Sequence, residues 1–173
     1  GYVRVFEWDI GTSTWNQLGN DIDGEAAGDE FGRSIAMSAD GNRIAIGARY
    51  NDHNGANGDE SGHVRIFDWD SNTATWNQAG DDIDGEAGGD QSGESLAMSA
   101  DGNRIAIGAE HNFGTDAMMF YSRGLVRVFD WDSDTATWNQ AGDDIDGEAA
   151  EDEFGDAMAM SADGTRIAIG AGH

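Results

Sequence analysis

The sequence contains no cysteine, no proline and no lysine, and its nine basic residues are all arginine. Without cysteine, the chain can form neither disulfides nor thiolate metal sites. Its 34 acidic residues leave a formal net charge of −25 at pH 7, which argues against binding a nucleic-acid backbone or an anionic membrane surface. No apolar run approaches the roughly 18–20 residues that a membrane helix needs. We therefore expect no nucleic-acid partner and no membrane insertion, whereas the charge favours cations as partners.

One unit is written three times along the 173 residues. Its most regular part begins with GYVRVFEWD at residue 1, GHVRIFDWD at residue 62 and GLVRVFDWD at residue 124, a period of 61 to 62 residues. Such a period is typical of a supersecondary unit that carries one tolerant loop. We predict a single module over residues 1–173, with repeats 1–61, 62–123 and 124–173, the last lacking its variable loop. Because the chain begins at Gly1 and not at a methionine, we expect a processed or partial product.

Each unit is predicted to form four short strands and almost no helix, since no stretch has a period of 3.6 residues. In the first unit, SIAMS and RIAIGA flank ADGN, and Asp-Gly is a strong hairpin signal. In RIAIGA, Ile44 and Ile46 face one way, while Ala45 and Gly47 face the other. One face is bulky and the other nearly flat, which suits sheets that stack face to face with a close approach over the small residues.

Four-stranded antiparallel units repeated radially make a β-propeller, so the predicted class is all-β, with three blades' worth of strands in this chain. The stretch DEFGRSIAMSADGNRIAIGA resembles the FG-GAP repeat of integrin-α-type β-propellers, with Phe31-Gly32 and Gly47-Ala48 in the characteristic positions. It departs from that family in lacking the proline in every copy and in having Ser92 in place of the second Phe. The family's calcium loop lies in the hairpin between the first two strands. Here that hairpin is only SADGNR, so the resemblance does not carry the calcium site over.

The repeats are circularly phased, because the chain starts at the third strand of a blade and ends after the second. We therefore expect GYVRVF to pair antiparallel with residues 166–171, within one chain or within one assembly. Propellers usually have four to eight blades, so three blades need a partner. The alternatives are the remainder of a longer chain, a six-bladed homodimer, or a head-to-tail filament.

The motif DDIDGEAxxD, which begins with Asn20 in the first copy, connects successive units and places four carboxylates that recur in every copy around a glycine. Such hard oxygens on a sharply turning backbone are what Ca²⁺ requires, so calcium is the possible cofactor. The other interpretation is a structural turn whose acids accept hydrogen bonds from backbone N–H groups, which the sameness of the three copies favours. The candidate metal ligands are Asp21, Asp23, Glu25, Asp29, Asp82, Asp84, Glu86, Asp90, Asp144, Asp146, Glu148 and Asp152.

An apolar run interrupts the polar variable loop of the second unit. It comprises Ala117, Met118, Met119, Phe120 and Tyr121. Methionine and aromatic residues are enriched at the centres of protein interfaces, so we predict a binding surface for a partner or a neighbouring subunit. The alternative is that the loop folds back and caps the blade edge. Alternating hairpins place this loop and the acidic connectors on one rim.

No residue pattern indicates catalysis, because no histidine is repeated and no nucleophile motif is present. The six tryptophans recur at two positions of each unit, where blade packing is a better interpretation than a sugar-stacking platform. We expect a non-catalytic adhesion, protein-interaction or assembly module that is extracellular or on the cell surface. The alternative is a lectin-like or Ca²⁺-dependent ligand-binding propeller.

Overall fold

The structure, a computed structural model, describes residues 1–52, 59–112, 122–149 and 151–172. Within these ranges every regular element is a β-strand, and all strand pairs are antiparallel. The described residues include no helix long and apolar enough to cross a membrane. The predicted all-β class is confirmed.

The strands form two complete sheets between two smaller groups. The N-terminal hairpins comprise β1 (Tyr2–Val3), β2 (Phe6–Asp9), β3 (Thr14–Gln17) and β4 (Ile22–Asp23), paired as β1 with β4 and β2 with β3. The first sheet comprises β5 (Ile35–Met37), β6 (Arg43–Ala48), β7 (His63–Asp70), β8 (Thr75–Gln78) and β9 (Ile83–Asp84). The second sheet comprises β10 (Ser95–Met98), β11 (Arg104–Ala109), β12 (Leu125–Asp132), β13 (Thr137–Gln140) and β14 (Ile145–Asp146). The C-terminal hairpin comprises β15 (Phe154–Met160) and β16 (Ile167–Ala171).

Each complete sheet contains the four predicted strands in sequence order and one short strand that the sequence did not indicate. The extra strands, β9 and β14, belong to the acidic connectors and pair with the starts of β7 and β12. The connector is therefore more than a turn. Its Ile-Asp dipeptide extends the sheet beside the strand that follows the variable loop.

The turn between β5 and β6 shows why the Asp-Gly signal was reliable. Gly41 has a φ of +74°, a conformation that favours glycine because it has no Cβ. Asp40 accepts hydrogen bonds from the backbone N–H of Asn42 at 3.0 Å and from the hydroxyl of Ser38 at 2.7 Å. The local chemistry thus fixes the turn, and the turn fixes the register of the hairpin.

The sheets stack in chain order, and RIAIGA separates two cores. Ile44 and Ile46 pack with Val3 and Ile22 of the N-terminal hairpins, whereas Ala45 packs with the second sheet. On the flat face a Cβ added to Gly47 would collide with the carbonyl oxygen of Gly93. The predicted bulky and flat faces, with a close approach over the flat one, are confirmed.

The described strands of one chain do not close into a ring. Among them β16 pairs with β15, while the N-terminal hairpins pair only with each other. The expected pairing of GYVRVF with residues 166–171 within one chain is therefore wrong. The physical reason is that the two complete sheets lie between these segments in the stack. Pairing between separate copies stays a prediction.

Candidate functional site

The predicted binding segment, Ala117 to Tyr121, lies outside the described residues, so its role stays a prediction. The shared rim that was predicted for connectors and variable loops is confirmed where the loops are described. Asn51 Nδ2 donates to Asp29 Oδ2 at 3.1 Å, and Gly89 N donates to the carbonyl oxygen of Asp59 at 2.7 Å. Each contact joins a connector to the loop after the second strand of a blade.

The last aspartate of each connector stabilises the connector's own turn. Its carboxylate accepts a hydrogen bond from the backbone N–H three residues earlier. The three bonds are Ala26 to Asp29 at 3.2 Å, Ala87 to Asp90 at 2.9 Å and Ala149 to Asp152 at 2.8 Å. Burial raises the pKa of Asp90. These carboxylates have the structural role that the second interpretation of the motif predicts.

The first acidic position is also engaged locally. Asp21, Asp82 and Asp144 each accept a hydrogen bond from the glutamine side chain four residues earlier, at 2.8, 2.6 and 2.7 Å. Asp21 additionally accepts two bonds from the Arg4 guanidinium, both at 2.9 Å. The bonds from Arg4 are the main reason that the pKa of Asp21 is lowered.

The acids between these positions meet an arginine on the third strand of the following sheet, β7 or β12. Arg65 lies 3.9 Å from Glu25 and donates to the carbonyl oxygen of Asp23 at 2.8 Å. Arg127 makes the equivalent contacts one unit later, with Glu86 at 3.7 Å and the carbonyl oxygen of Asp84 at 2.6 Å. Asp146 and Glu148 of the third connector are exposed. The acids of one connector are thus directed at separate partners, and a Ca²⁺ site within a single connector stays a prediction.

One group in the described part of the chain brings three possible metal ligands together. It comprises Glu25, His63 and Asp82, whose ligand atoms all lie within 4.8 Å of one another. The sequence interpretation included both acids but set His63 aside, because no other copy has a histidine there. The available signal was position: His63 opens a strand that two acidic connectors flank.

The tryptophans join successive units through a repeated contact. Within each unit the two indoles lie side by side, with ring centroids 5.2–5.3 Å apart. Trp76 Nε1 donates to the carbonyl oxygen of Leu18 at 3.0 Å, and Trp138 Nε1 donates to that of Ala79 at 3.0 Å. Leu18, Ala79 and Ala141 occupy the same position after the TrpAsnGln motif. Blade packing is therefore the role of these two pairs.

Two further contacts complete this inter-unit joint. A Cβ on Gly80 would lie 3.0 Å from Trp131 and 3.1 Å from Trp138, so the indoles lie directly on the glycine turn. The guanidinium of Arg43 lies 4.9 Å from the ring centroid of Trp131 and 5.5 Å from that of Trp138. The joint between the two complete sheets therefore consists of an indole pair on one unit and a carbonyl, a glycine and an arginine on the unit before it. The joint between the N-terminal hairpins and the first sheet has the same indole pair, carbonyl and glycine, with Gly19 beside Trp69 and Trp76.

Each end of the stack has one half of this joint. Trp8 and Trp15 are 46% and 65% exposed, and Trp15 Nε1 makes no hydrogen bond within the described ranges. At the other end a Cβ on Gly142 would have no atom within 4 Å. Gly142, Ala141, Arg104 and Ile167 line a groove of about 580 Å³ there. The groove has the carbonyl, the glycine and the arginine of the joint but no indole pair.

Comparisons with known proteins agree with this architecture. The profile of the FG-GAP repeat family matches residues 22–67, a span that runs from the first connector into β7. The comparison with curated proteins finds no match. One similar solved structure is a presumed 6-phosphogluconolactonase from Bacteroides fragilis NCTC 9343, with a TM-score of 0.55 and 14% identity. The similarity covers 87% of this chain and 34% of that one, so this chain spans about a third of the solved protein.

Residues 22–67 thus carry an FG-GAP repeat, as the resemblance implied, within an all-β chain of stacked antiparallel sheets. At 14% identity the solved structure supports the fold and nothing further.

Proposed function

We propose that the protein is a non-catalytic interaction and assembly module, in which all three units are FG-GAP-like blades of the integrin-α type. In this proposal its partner is a second copy of the chain, and the complex is extracellular or on the cell surface. The observation that carries the proposal is the divided joint: the exposed Trp8–Trp15 pair at one end and the indole-free groove at the other are its two halves.

In the proposed complex the copies meet with the register that the internal sheets have. In the first sheet β6 pairs with β7 so that Arg43 is opposite Asp68 and Ala48 is opposite His63. Applying this register to the ends places Arg166 of one copy opposite Glu7 of the other, and Ala171 opposite Tyr2. The Trp15 indole then lies beside the carbonyl oxygen of Ala141, as Trp76 lies beside that of Leu18.

The free energy of this contact comes from apolar burial and strand pairing. Burying a large apolar side chain contributes about 1.5–3 kcal/mol, and Tyr2, Phe6, Trp8 and Trp15 are all more than two-fifths exposed. Pairing also satisfies the backbone groups of two open strand edges. Because both copies carry a net charge of −25, their repulsion opposes association, and salt that screens it strengthens the complex.

Two copies joined at both ends contain six blades, within the range of four to eight that propellers adopt. The closed dimer has twice the 18.4 kDa mass of one chain. The contact is heterologous, because it joins the C-terminal end of one copy to the N-terminal end of another. If the rotation between joined copies does not close a ring, repeating the contact gives a filament.

The test is the solution mass, measured by light scattering over a range of protein and salt concentrations. We expect the wild type to associate, and Trp15→Ala to weaken association because it removes both the indole N–H and the ring. Ile10→Ala is the matched control, since Ile10 is 88% exposed on the same hairpin and belongs to no joint. A wild type that remains a single chain throughout, or a Trp15→Ala variant that associates equally well, contradicts the proposal.

A second candidate function rests on the same exposed pair, because neighbouring indoles can stack on a sugar. This lectin-like alternative predicts that a single chain binds glycans and that Trp15→Ala abolishes the binding. A glycan array probed with the wild type and the variant, with and without a chelator, distinguishes this alternative from self-assembly and tests its calcium dependence.

A further inference from the structure

His63 is a buried side chain whose two ring nitrogens both lack a hydrogen bond in the described part of the chain. It opens β7 and is 1% exposed. Its Nε2 atom is buried without a partner, and its Nδ1 atom lies 3.7 Å from Asp82 Oδ2, beyond hydrogen-bonding distance. A buried polar atom without a partner is destabilising, so the position calls for a bound group.

The histidine belongs to a coordinated change that affects one repeat. The equivalent positions are Tyr2 in the first unit and Leu125 in the third. The same repeat has Ser92 where Phe31 and Phe154 stand in the others, and the hydroxyls of Ser61 and Ser92 are also buried without partners. Apolar packing is thus replaced by polar groups at this one blade, although the fold does not require it.

Two carboxylates face the imidazole from different connectors. Glu25 comes from the connector before the first sheet, and Asp82 comes from the next connector, between β8 and β9. One ligand atom from each of them and one from the imidazole lie within 4.8 Å of one another. Burial lowers the pKa of His63, and a neutral imidazole is the form that ligates metal ions.

Arg65 approaches this group but is held by other contacts. Its guanidinium lies over the Phe31 ring, 4.6 Å from the centroid, and donates to the carbonyl oxygen of Asp23. Its distance to Glu25 is 3.9 Å, too long for a direct hydrogen bond. The Glu25 carboxylate accepts a hydrogen bond from Asn51 Nδ2 to Oε2 at 3.4 Å. Its Oε1 atom can therefore bind a metal ion while Arg65 and Asn51 keep their contacts.

We propose that Glu25, His63 and Asp82 bind a divalent transition-metal ion of the Zn²⁺ class. One imidazole nitrogen with two carboxylate oxygens is a donor set for Zn²⁺, whereas Ca²⁺ takes six to eight oxygen ligands. Water completes the coordination. The site differs from the calcium interpretation of the connectors, because its ligands come from two connectors and a strand. It is independent of the proposed self-assembly.

A bound ion links the two connectors that flank the first sheet. Because the ligands are brought together only by folding, binding stabilises the folded state in proportion to the logarithm of the ligand concentration. The site therefore acts as a clamp on one blade of the repeat.

The test is titration of the full chain with Zn²⁺ by calorimetry, together with the shift in melting temperature, in buffer with excess Mg²⁺ to saturate unspecific carboxylates. We expect one Zn²⁺ ion to bind tightly to each chain, and the melting temperature to rise with the Zn²⁺ concentration. His63→Leu introduces the residue that the third unit has at this position. We expect this variant to lose both the tight Zn²⁺ binding and the rise in melting temperature. A wild type that does not bind Zn²⁺ tightly, or a His63→Leu variant that still does, overturns the proposal.

A second pair of variants keeps the test decisive if His63→Leu does not fold. Glu25→Gln removes a ligand from an exposed position, and Glu86→Gln makes the same change one connector later, where Leu125 is the equivalent of His63. We expect Glu25→Gln to weaken Zn²⁺ affinity by at least about tenfold and Glu86→Gln to leave it unchanged. Equal effects of the two variants would mean that the ion responds only to net charge, and would overturn the proposal.

Discussion

The interior sheets and the end hairpins of this molecule have nearly the same sequence, but they differ in the continuity of their strands and in the burial of their side chains. Residues 63–70 and 125–132 form continuous strands of eight residues, whereas the equivalent N-terminal stretch divides into β1 and β2. Ile105 is fully buried, while its C-terminal counterpart Ile167 is only partly buried. In a repeat protein a residue's environment is thus set by its neighbouring unit, and each end shows one half of a joint without the other half.

The largest effect predicted from this comparison is that of removing an indole. Trp76→Ala deletes a side chain that packs on the N-terminal core and donates to Leu18, and we expect it to lower the free energy of unfolding by about 3 kcal/mol. Trp15→Ala deletes the equivalent exposed indole and should change it by less than about 0.5 kcal/mol.

Chemical denaturation at a concentration where both variants are single chains measures this pair. Equal losses of stability from the two variants would mean that the indoles act within their own hairpin. The joint would then have no energetic role.

A smaller effect separates the joint from backbone strain. Gly80 and Gly142 have similar positive φ values, 82° and 87°, so alanine introduces similar strain at both, about 1 kcal/mol. At Gly80 the added methyl also meets two indoles, whereas at Gly142 it meets open space.

We therefore expect Gly80→Ala to be more destabilising than Gly142→Ala by about 1 kcal/mol or more in the single chain. Urea unfolding of the two variants in parallel, at a concentration where both are single chains, measures the difference, since strain common to both cancels. Identical midpoints would argue that the interior indoles do not rest on the glycine turn.

Features encoded within one unit could be predicted from the sequence. Two examples are the Asp-Gly turn at residues 40 and 41 and the alternation of isoleucine with small residues in RIAIGA. Both depend only on neighbours in the chain, so the turn preference of Asp-Gly and the spacing of the apolar residues suffice to locate them.

Features that need two units at once could not be predicted. The bond from Trp138 to Ala79 links residues of different sheets, and the group of Glu25, His63 and Asp82 combines three separate segments. The connector acids were predicted as one set, but the direction of each depends on contacts with Arg4 of the N-terminal hairpins and with Arg65 and Arg127 of the following sheets. A one-dimensional pattern contains no information on these directions.

The most direct test of the divided joint is a charge exchange across the predicted contact between copies. Arg43 pairs with Asp68, and Arg104 pairs with Asp130, each at 2.6 Å, so Arg166 should pair with Glu7 of a second copy. Solution mass is measured for the wild type, Arg166→Glu, and the double variant Glu7→Arg with Arg166→Glu. We predict association of the wild type, a single chain for Arg166→Glu, and restored association for the double variant. Association of Arg166→Glu equal to that of the wild type, or a double variant that remains a single chain, would contradict the account.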